Sequence, residues 1–162
     1  MHIVVGLGNS GEEYRLTRHN TGRMAADFLA EKICGIKVFT PDTYMNKTGT
    51  AVAKAVKSKK AAKKLIVIHD DLDLSLGSMK ISYNRGSGGH KGLESIIKAL
   101  KTKEFIRIRI GIGKRSDVEK HILGKFSKPE MERLKKVFKN VARAVETIVN
   151  KSLEKAMTEY NK

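Results

Sequence analysis

Three things are scarce in this sequence of 162 residues: cysteine, acidic side chains and long apolar runs. Cys34 is the only cysteine, so a disulfide within the chain is excluded and nothing indicates an oxidising compartment. The apolar runs are much shorter than the roughly 20 residues that a membrane-spanning helix needs. Met1 leads directly into a strand-like run, without the basic and apolar regions of a secretory leader. We therefore expect a soluble cytoplasmic protein.

The shortage of acidic residues leaves a large positive charge. Lys and Arg together number 33 and Asp and Glu 17, which gives a formal net charge of +16. Such a surplus attracts polyanions in a salt-dependent way, so nucleic acid is the first partner to consider. Adaptation for solubility or heat would produce the same composition, and the lysine cluster within residues 57–64 is equally consistent with a solvated helix end. Composition alone does not decide between these explanations.

Length and periodicity predict one domain of the α/β class, residues 1–162. The chain has 40% apolar residues and is long enough for one well-buried core. Segments with strand spacing alternate with segments of helical spacing, and no repeat or linker divides them. We predict strands over 3–5, 36–39, 65–68, 79–84 and 105–112, and helices over 22–32, from 48, over 93–100, from 127 and near 153–157. This alternation indicates a three-layer α/β/α arrangement.

The stretch from Gly6 to Gly22, directly after the first predicted strand, admits two interpretations. Gly6, Gly8 and Gly11 match G-x-G-x-x-G, a dinucleotide-binding pattern. That pattern requires a helix that begins at the glycines, so that its N-terminal N–H groups meet the pyrophosphate. Here polar and charged residues follow, and no helical periodicity starts before Met24. We therefore expect these glycines to turn the backbone and approach a substrate closely, without a nucleotide site.

His19 lies in the same stretch, in a loop where a histidine has no obvious packing role. Imidazole titrates near neutrality, so it can take a proton from water and return it to a leaving alcohol. Such a base needs an orienting carboxylate, and Asp70, Asp71 and Asp73 follow a predicted buried strand. Turn formation accounts for the second and third of these acids better than for Asp70. His69 beside them could hold a metal, but neighbours on one short segment cannot all point at one ion, so we expect none.

Other polar residues have both functional and structural explanations. Asn9 and Asn46 could donate amide hydrogen bonds to a carbonyl or an oxyanion, although Asn is also common in turns. Arg107 and Arg109, on the polar face of a predicted strand, could bind a phosphate or lie in solvent. The glycine-rich loop 86–92 could present backbone N–H groups to an anion or form a tight connection. None of these features is decisive alone.

Five motifs follow one another along the chain. They are Val5-Gly-Leu-Gly-Asn9 with Thr17-Arg-His-Asn-Thr-Gly22, then Thr43-Tyr-Met-Asn46, His69-Asp-Asp-Leu-Asp73, Gly88-Gly-His-Lys-Gly-Leu93 and Arg107-Ile-Arg-Ile-Gly-Ile-Gly113. In content and order they resemble the motifs of the bacterial-type peptidyl-tRNA hydrolase family. The resemblance implies an esterase that releases peptides from tRNA by attack of water, without a metal or a cofactor. We expect a monomer whose partner is the acceptor end of peptidyl-tRNA.

By position, the resemblance implies a role for each of several residues. His19 would be the general base, Asp70 would hold it in its useful tautomer, and Asn9 would bind the substrate near the scissile bond. Asn46 would place the ester and help to stabilise the developing negative charge. The other substrate contacts would be Tyr14 and Tyr44 for the terminal adenosine or first peptide unit, Lys91, and Arg109 for a tRNA phosphate. The alternative is a non-catalytic RNA-binding protein on the same scaffold.

The chain departs from the family pattern at several positions. Lys91 stands where Asn is common, and His121 stands where an aromatic residue is common. Ser82 replaces the lysine that partners the phosphate-binding arginine, and Lys80 on the same strand face could substitute for it. The family also has a strand pair between the first helix and the Thr-Tyr-Met-Asn motif, where only residues 35–41 remain here. We therefore predict a twisted mixed β-sheet that lacks this pair.

Overall fold

A single mixed sheet runs through the computed structural model, which describes residues Met1–Lys162. Its strands are β1 (His2–Gly6), β2 (Ile36–Phe39), β3 (Leu65–Asp71), β4 (Met79–Tyr83) and β5 (Ile106–Gly111). They lie in the order β2-β1-β3-β5-β4. Four strands are parallel, and β4 runs antiparallel to β5. The carboxyl ends of β1, β3 and β5 therefore meet at one edge of the sheet.

Helices cover both faces of the sheet, as the alternating pattern predicts. One face is covered by α1 (Thr21–Ala30), α6 (Lys128–Asn150) and α7 (Leu153–Tyr160). The other is covered by α2 (Thr48–Ala55), α3 (Lys59–Ala62) and α4 (Lys91–Leu100). The short helix α5 (Val118–Ile122) follows β5. No helical segment combines the length and the hydrophobicity that a bilayer-spanning helix requires.

Alternation along β5 divides the core between the two faces of the sheet. Ile106, Ile108 and Ile110 pack with α6 in a cluster of 18 buried residues. The other face of β5 carries two arginines, Arg107 and Arg109, which are only 1% and 8% exposed. The predicted division of faces is confirmed. The solvated alternative is wrong for both arginines, because Arg107 packs against the loop before α4, where it binds the Gly86 carbonyl, and Arg109 binds Asp71 and Ser82.

The long helix α6 begins where its sequence predicts. The Ser127 hydroxyl accepts a hydrogen bond from the Glu130 backbone N–H, and the Glu130 carboxylate accepts one from the Ser127 N–H at 2.8 Å. This capping box satisfies donors that the first turn leaves free. The stripe predicted to face the sheet is buried from Leu134 to Ile148.

The helix predicted from Thr48 into the lysine cluster is two helices. α2 ends at Ala55, Val56 has an extended backbone, and Ser58 caps α3 by accepting a hydrogen bond from the Ala61 N–H at 3.0 Å. The lysines of this cluster are exposed beside the start of β3. They therefore lie at the opposite end of the sheet from Asp70.

Close approach of helix α1 to the sheet requires two glycines. A Cβ at Gly22 would lie 2.1 Å from the Ile68 carbonyl oxygen, and a Cβ at Gly6 would lie 2.4 Å from the Gly22 oxygen. Gly8 likewise faces Asn20, which a Cβ would approach to 2.9 Å. The prediction that these glycines approach a substrate is therefore wrong for Gly6 and Gly8, which pack against α1 and the turn before it. Gly11 is followed by the single 3-10 turn Glu12–Tyr14, and the first α-helix begins only at Thr21.

The outer edge of β4 is covered by a side chain near the end of the chain. The Asn161 Oδ1 accepts a hydrogen bond from the Ile81 N–H at 2.7 Å, and its Nδ2 donates to the Ile81 carbonyl at 2.9 Å. The amide thus takes the place of a neighbouring strand at this point. An uncovered strand edge is a template for association with other chains, and Asn161 blocks it.

We expect Asn161→Ala to lower the free energy of unfolding by about 1–3 kcal/mol, because it leaves two backbone groups of Ile81 without partners. Urea denaturation followed by circular dichroism measures this loss. Asn140→Ala, at an exposed position of α6, is the control and should change stability by about 0.5 kcal/mol or less. Equal stability of both variants would show that the Asn161 hydrogen bonds contribute nothing.

Candidate active site

A cleft of about 690 Å³ opens at the edge of the sheet where the parallel strands end. It is bounded by the end of β3, the loop from β4 to α4, the polar face of β5 and helix α5. Four of the residues predicted for the site line this cleft: His19, Asp70, Lys91 and Arg109. This cleft is therefore the candidate active site.

His19 and Asp70 meet at the wall of the cleft although 51 positions separate them in sequence. His19 lies in a single 3-10 turn just before α1, and Asp70 lies at the end of β3. The His19 Nδ1 is 2.8 Å from the Asp70 Oδ2, and both side chains are buried. Because a carboxylate only accepts, Nδ1 carries the hydrogen and Nε2 keeps its lone pair. This is the arrangement that the general-base role requires.

A second histidine, His90, binds the other oxygen of Asp70. Its Nε2 lies 2.8 Å from Oδ1, and its Nδ1 accepts hydrogen bonds from the backbone N–H groups of Gly92 and Leu93 at 3.1 and 3.4 Å. His90 therefore caps α4 and carries its hydrogen on Nε2, the opposite tautomer to that of His19. No role for His90 was predicted, although it stands in the glycine-rich loop directly before a predicted helix, where caps occur.

Hydrogen bonds and charge within this cluster shift the pKa values of both His19 and Asp70. Burial disfavours the charged form of His19, but the charge and hydrogen bond of Asp70 outweigh it and raise the pKa of His19. Burial likewise opposes ionisation of Asp70, yet His90 and His19 hold the pKa of the Asp70 carboxyl well below its usual range. Asp70 is therefore an anion throughout the neutral range and stabilises a proton on His19.

His69, considered from the sequence as a metal ligand, lies outside the one group of side chains whose atoms are close enough to hold an ion. Its Nδ1 donates to the Asp70 carbonyl oxygen at 2.8 Å, and burial lowers the pKa of His69 to about 3. The side chains that could hold an ion are instead His19, Asp70 and His90, whose ligand atoms lie within 4.8 Å of one another. The nitrogens of both histidines that face Asp70 carry hydrogens in the arrangement described above. The cluster is thus organised as a chain of hydrogen bonds.

Asn9 does not line this cleft, and lies instead in the wall of a smaller one of about 350 Å³ together with Asn20. Its Oδ1 accepts a hydrogen bond from the Met45 N–H at 2.8 Å. The Asn20 Oδ1 accepts a hydrogen bond from the Asn9 backbone N–H at 2.8 Å, and the Asn20 Nδ2 donates to the Asn9 carbonyl oxygen at 3.0 Å. Because Asn20 follows His19 directly, this pairing ties Asn9 to the turn that carries the histidine. The Asn9 Nδ2 makes no hydrogen bond within the protein and is free to donate.

Two tyrosines and Asn46 belong to a second group of predicted residues, near Asn9. The rings of Tyr14 and Tyr44 meet edge to face with their centroids 6.3 Å apart, and Tyr44 is 56% exposed. Asn46 is exposed in the 3-10 turn Met45–Lys47. The predicted residues therefore form two groups, one in the cleft and one around Asn9, with the turn containing His19 between them.

Arg109, predicted to bind a tRNA phosphate, already has partners in the protein. Its Nε donates to the Asp71 Oδ2 at 2.8 Å, and its Nη1 donates to the Ser82 Oγ at 3.4 Å. Lys80 lies opposite Arg109 in the β4–β5 register, so it is on the predicted strand face, but it is exposed and does not line the cleft. Lys91 is exposed at the first position of α4, at the rim of the cleft.

Helix α5 closes one side of the cleft. The His121 Nε2 donates to the carbonyl oxygens of Ile112 and Gly113 at 3.0 and 3.1 Å, which fixes the helix to the end of β5. The Arg18 guanidinium donates to the His121 carbonyl at 3.2 Å, so the residue before His19 also holds this helix. His121, which stands where an aromatic residue is common in the family, thus anchors α5 through hydrogen bonds.

The family model described as peptidyl-tRNA hydrolase matches residues 3–38 and 35–162. The peptidyl-tRNA hydrolase of Thermodesulfovibrio yellowstonii is 41% identical, with all of both chains covered. That of Carboxydothermus hydrogenoformans is 40% identical, covering 100% of this chain and 99% of the relative. The crystal structure of the Acinetobacter baumannii peptidyl-tRNA hydrolase superimposes with a TM-score of 0.91 at 31% identity, covering 99% and 94% of the two chains.

The chain belongs to the peptidyl-tRNA hydrolase family. The family match is split into two segments that overlap at residues 35–38, within and just before β2. The alignment to the Thermodesulfovibrio relative spans 186 positions, whereas this chain has 162 residues, so about 24 positions have no counterpart here. Both observations agree with the predicted shortening after the first helix, which leaves the sheet with five strands.

We expect Asp70→Asn to lower the pKa of His19 relative to the unchanged protein. The substitution removes the negative charge that outweighs burial, while the burial itself remains. Titration of the His19 ring resonances by NMR measures the change. Asp27→Asn, an exposed position on α1, is the control and should leave the titration as it was. An unchanged or higher pKa in Asp70→Asn would mean that the carboxylate does not govern His19.

Proposed function

We propose that this protein hydrolyses the ester bond between a peptide, or an N-blocked amino acid, and the 3' end of tRNA. The observation that carries the proposal is the buried His19–Asp70 pair, which lines a cleft in a chain of the peptidyl-tRNA hydrolase family. Hydrolysis of this bond would recycle tRNA from peptidyl-tRNA that leaves translation early.

In the proposed reaction, His19 is the general base and then the general acid. Its Nε2 takes a proton from water while the water oxygen bonds to the ester carbonyl carbon. The bond from that carbon to the ribose oxygen then breaks, and the ribose oxygen receives the proton from Nε2. Asp70 stays ionised and stabilises the imidazolium, while His90 keeps the carboxylate in place through its second oxygen.

The residues around Asn9 would receive the other parts of the substrate. The free Asn9 Nδ2 is a donor for the carbonyl or amide of the peptide next to the scissile bond. Asn46, exposed on the neighbouring turn, can place the ester and donate to its developing negative charge. The edge-to-face rings of Tyr14 and Tyr44 offer an apolar surface to the terminal adenosine or the first peptide unit.

The charge of the chain suits a tRNA substrate, and Lys91 and Arg109 are the proposed contacts in the cleft. We infer that catalysis needs no metal, because the hydrogen bonds of the Asp70 cluster already orient the base. A protein with this substrate would work in the cytoplasm, where translation takes place, and we infer that it acts as a monomer.

Incubation with N-acetyl-aminoacyl-tRNA tests the proposal, because ester cleavage releases free tRNA. With protein dialysed against a chelator, we expect cleavage by the unchanged chain and a loss of at least about a hundredfold in His19→Ala, since general base catalysis contributes 10²–10⁴-fold. His2→Ala, at the opposite end of β1, is the matched control and should keep full activity.

Two outcomes would contradict the proposal. Equal rates for His19→Ala and His2→Ala would exclude His19 as the base. Tight tRNA binding without any ester cleavage by the unchanged protein would favour the alternative, a non-catalytic RNA-binding protein on this scaffold.

A further inference from the structure

Arg107 is a buried cation without a carboxylate partner. Its side chain is among the largest fully buried ones in the protein, at 1% exposure, and it forms no salt bridge. Only Nη1 has a partner, the Gly86 carbonyl oxygen at 2.7 Å, while the buried Nε and Nη2 have none. Burying a charge without a partner of opposite sign lowers the stability of a protein, so a bound anion would compensate Arg107.

The neighbours of Arg107 add to the positive potential. Burial, with the charges of Arg85 and Arg109, lowers the pKa of Arg107 to about 10, so it remains a cation at neutral pH. Arg109 has its own anion in Asp71, at 2.8 Å. The aromatic ring of Phe105, whose centroid lies 5.0 Å from the Arg107 guanidinium carbon, offers a cation–π contact but no negative charge. The unbalanced charge of this wall of the cleft is therefore concentrated at Arg107 and Arg85.

The loop in front of Arg107 presents further donors. Arg85 is exposed, and residues 85–89 line the cleft together with Arg107. The backbone N–H groups of Gly86, Ser87 and Gly88 make no hydrogen bond within the protein. Added Cβ atoms at Gly86 and Gly88 would meet nothing within 4 Å, so the space in front of the loop is open. Free successive N–H groups backed by a cation are suited to an oxyanion.

We propose that Arg85, the loop 86–88 and Arg107 form a second phosphate-binding position for the RNA substrate, separate from Arg109. Arg85 and the backbone N–H groups contact the phosphate, and Arg107 acts from behind the loop through its charge. The identity of the phosphate as part of tRNA rests on the proposed function. The binding position itself rests on the unpartnered guanidinium and the open loop.

Binding of deacylated tRNA, measured by fluorescence anisotropy between about 50 and 200 mM salt, tests this position. Arg85→Ala is exposed and should not disturb folding, while Arg107→Met replaces the buried cation with an apolar chain of similar length. We expect each to weaken the affinity about tenfold at the lower salt concentration. The slope of log Kd against log salt concentration should fall by about 0.7–0.9 in Arg85→Ala. Arg107→Lys, which keeps the charge, should restore much of the affinity lost in Arg107→Met.

The comparison with Arg109→Ala separates the two positions. If Arg85 and Arg109 bind different phosphates, the losses of binding free energy in Arg85→Ala and Arg109→Ala add in the double variant. A double variant no weaker than Arg109→Ala alone would overturn the proposal, as would an unchanged affinity and salt slope in both Arg85→Ala and Arg107→Met. Lys136→Ala, an exposed position of α6, is the control for removal of one charge. Because deacylated tRNA has no ester, this result is independent of whether the protein hydrolyses peptidyl-tRNA.

Discussion

The site depends on the hydrogen bonds made by the Asp70 carboxylate, which is buried at the end of β3. One oxygen binds His19, from the turn before α1, and the other binds His90, at the start of α4. Three segments on different sides of the cleft are thus joined at one charged group. Since two N–H donors, one from each histidine, compensate its burial, the carboxylate remains ionised and fixes the tautomers of both rings.

This interaction requires the backbone of α1 to lie against the sheet. Gly22 provides the approach, because any side chain there would collide with the Ile68 carbonyl two residues before Asp70. Asn20, from the same turn, then binds the Asn9 backbone after β1. The base and the proposed carbonyl donor are consequently positioned by one rigid connection. The split in the family match falls at β2, the edge strand next to β1, and therefore lies outside this connection.

Much of the fold could be predicted from local patterns, because they report local physics. The alternation in β5 and the capping box at Ser127 are examples, since each depends on residues within one element. The resemblance, together with the position of Asp70 at the end of a predicted strand, also predicts the pairing of His19 with Asp70. The burial of Arg107 and the role of His90 could not be predicted, because each depends on where a distant loop lies.

Asp70 fixes His19 with its hydrogen on Nδ1 and a free lone pair on Nε2, and nitrogen-15 NMR of the histidine rings at a pH above the His19 transition observes this tautomer. Protonated and bare ring nitrogens have distinct shifts, so we expect a protonated Nδ1 in His19 and, in the same protein, a protonated Nε2 in His90. A His19 ring with its hydrogen on Nε2 would show that Asp70 does not fix the tautomer.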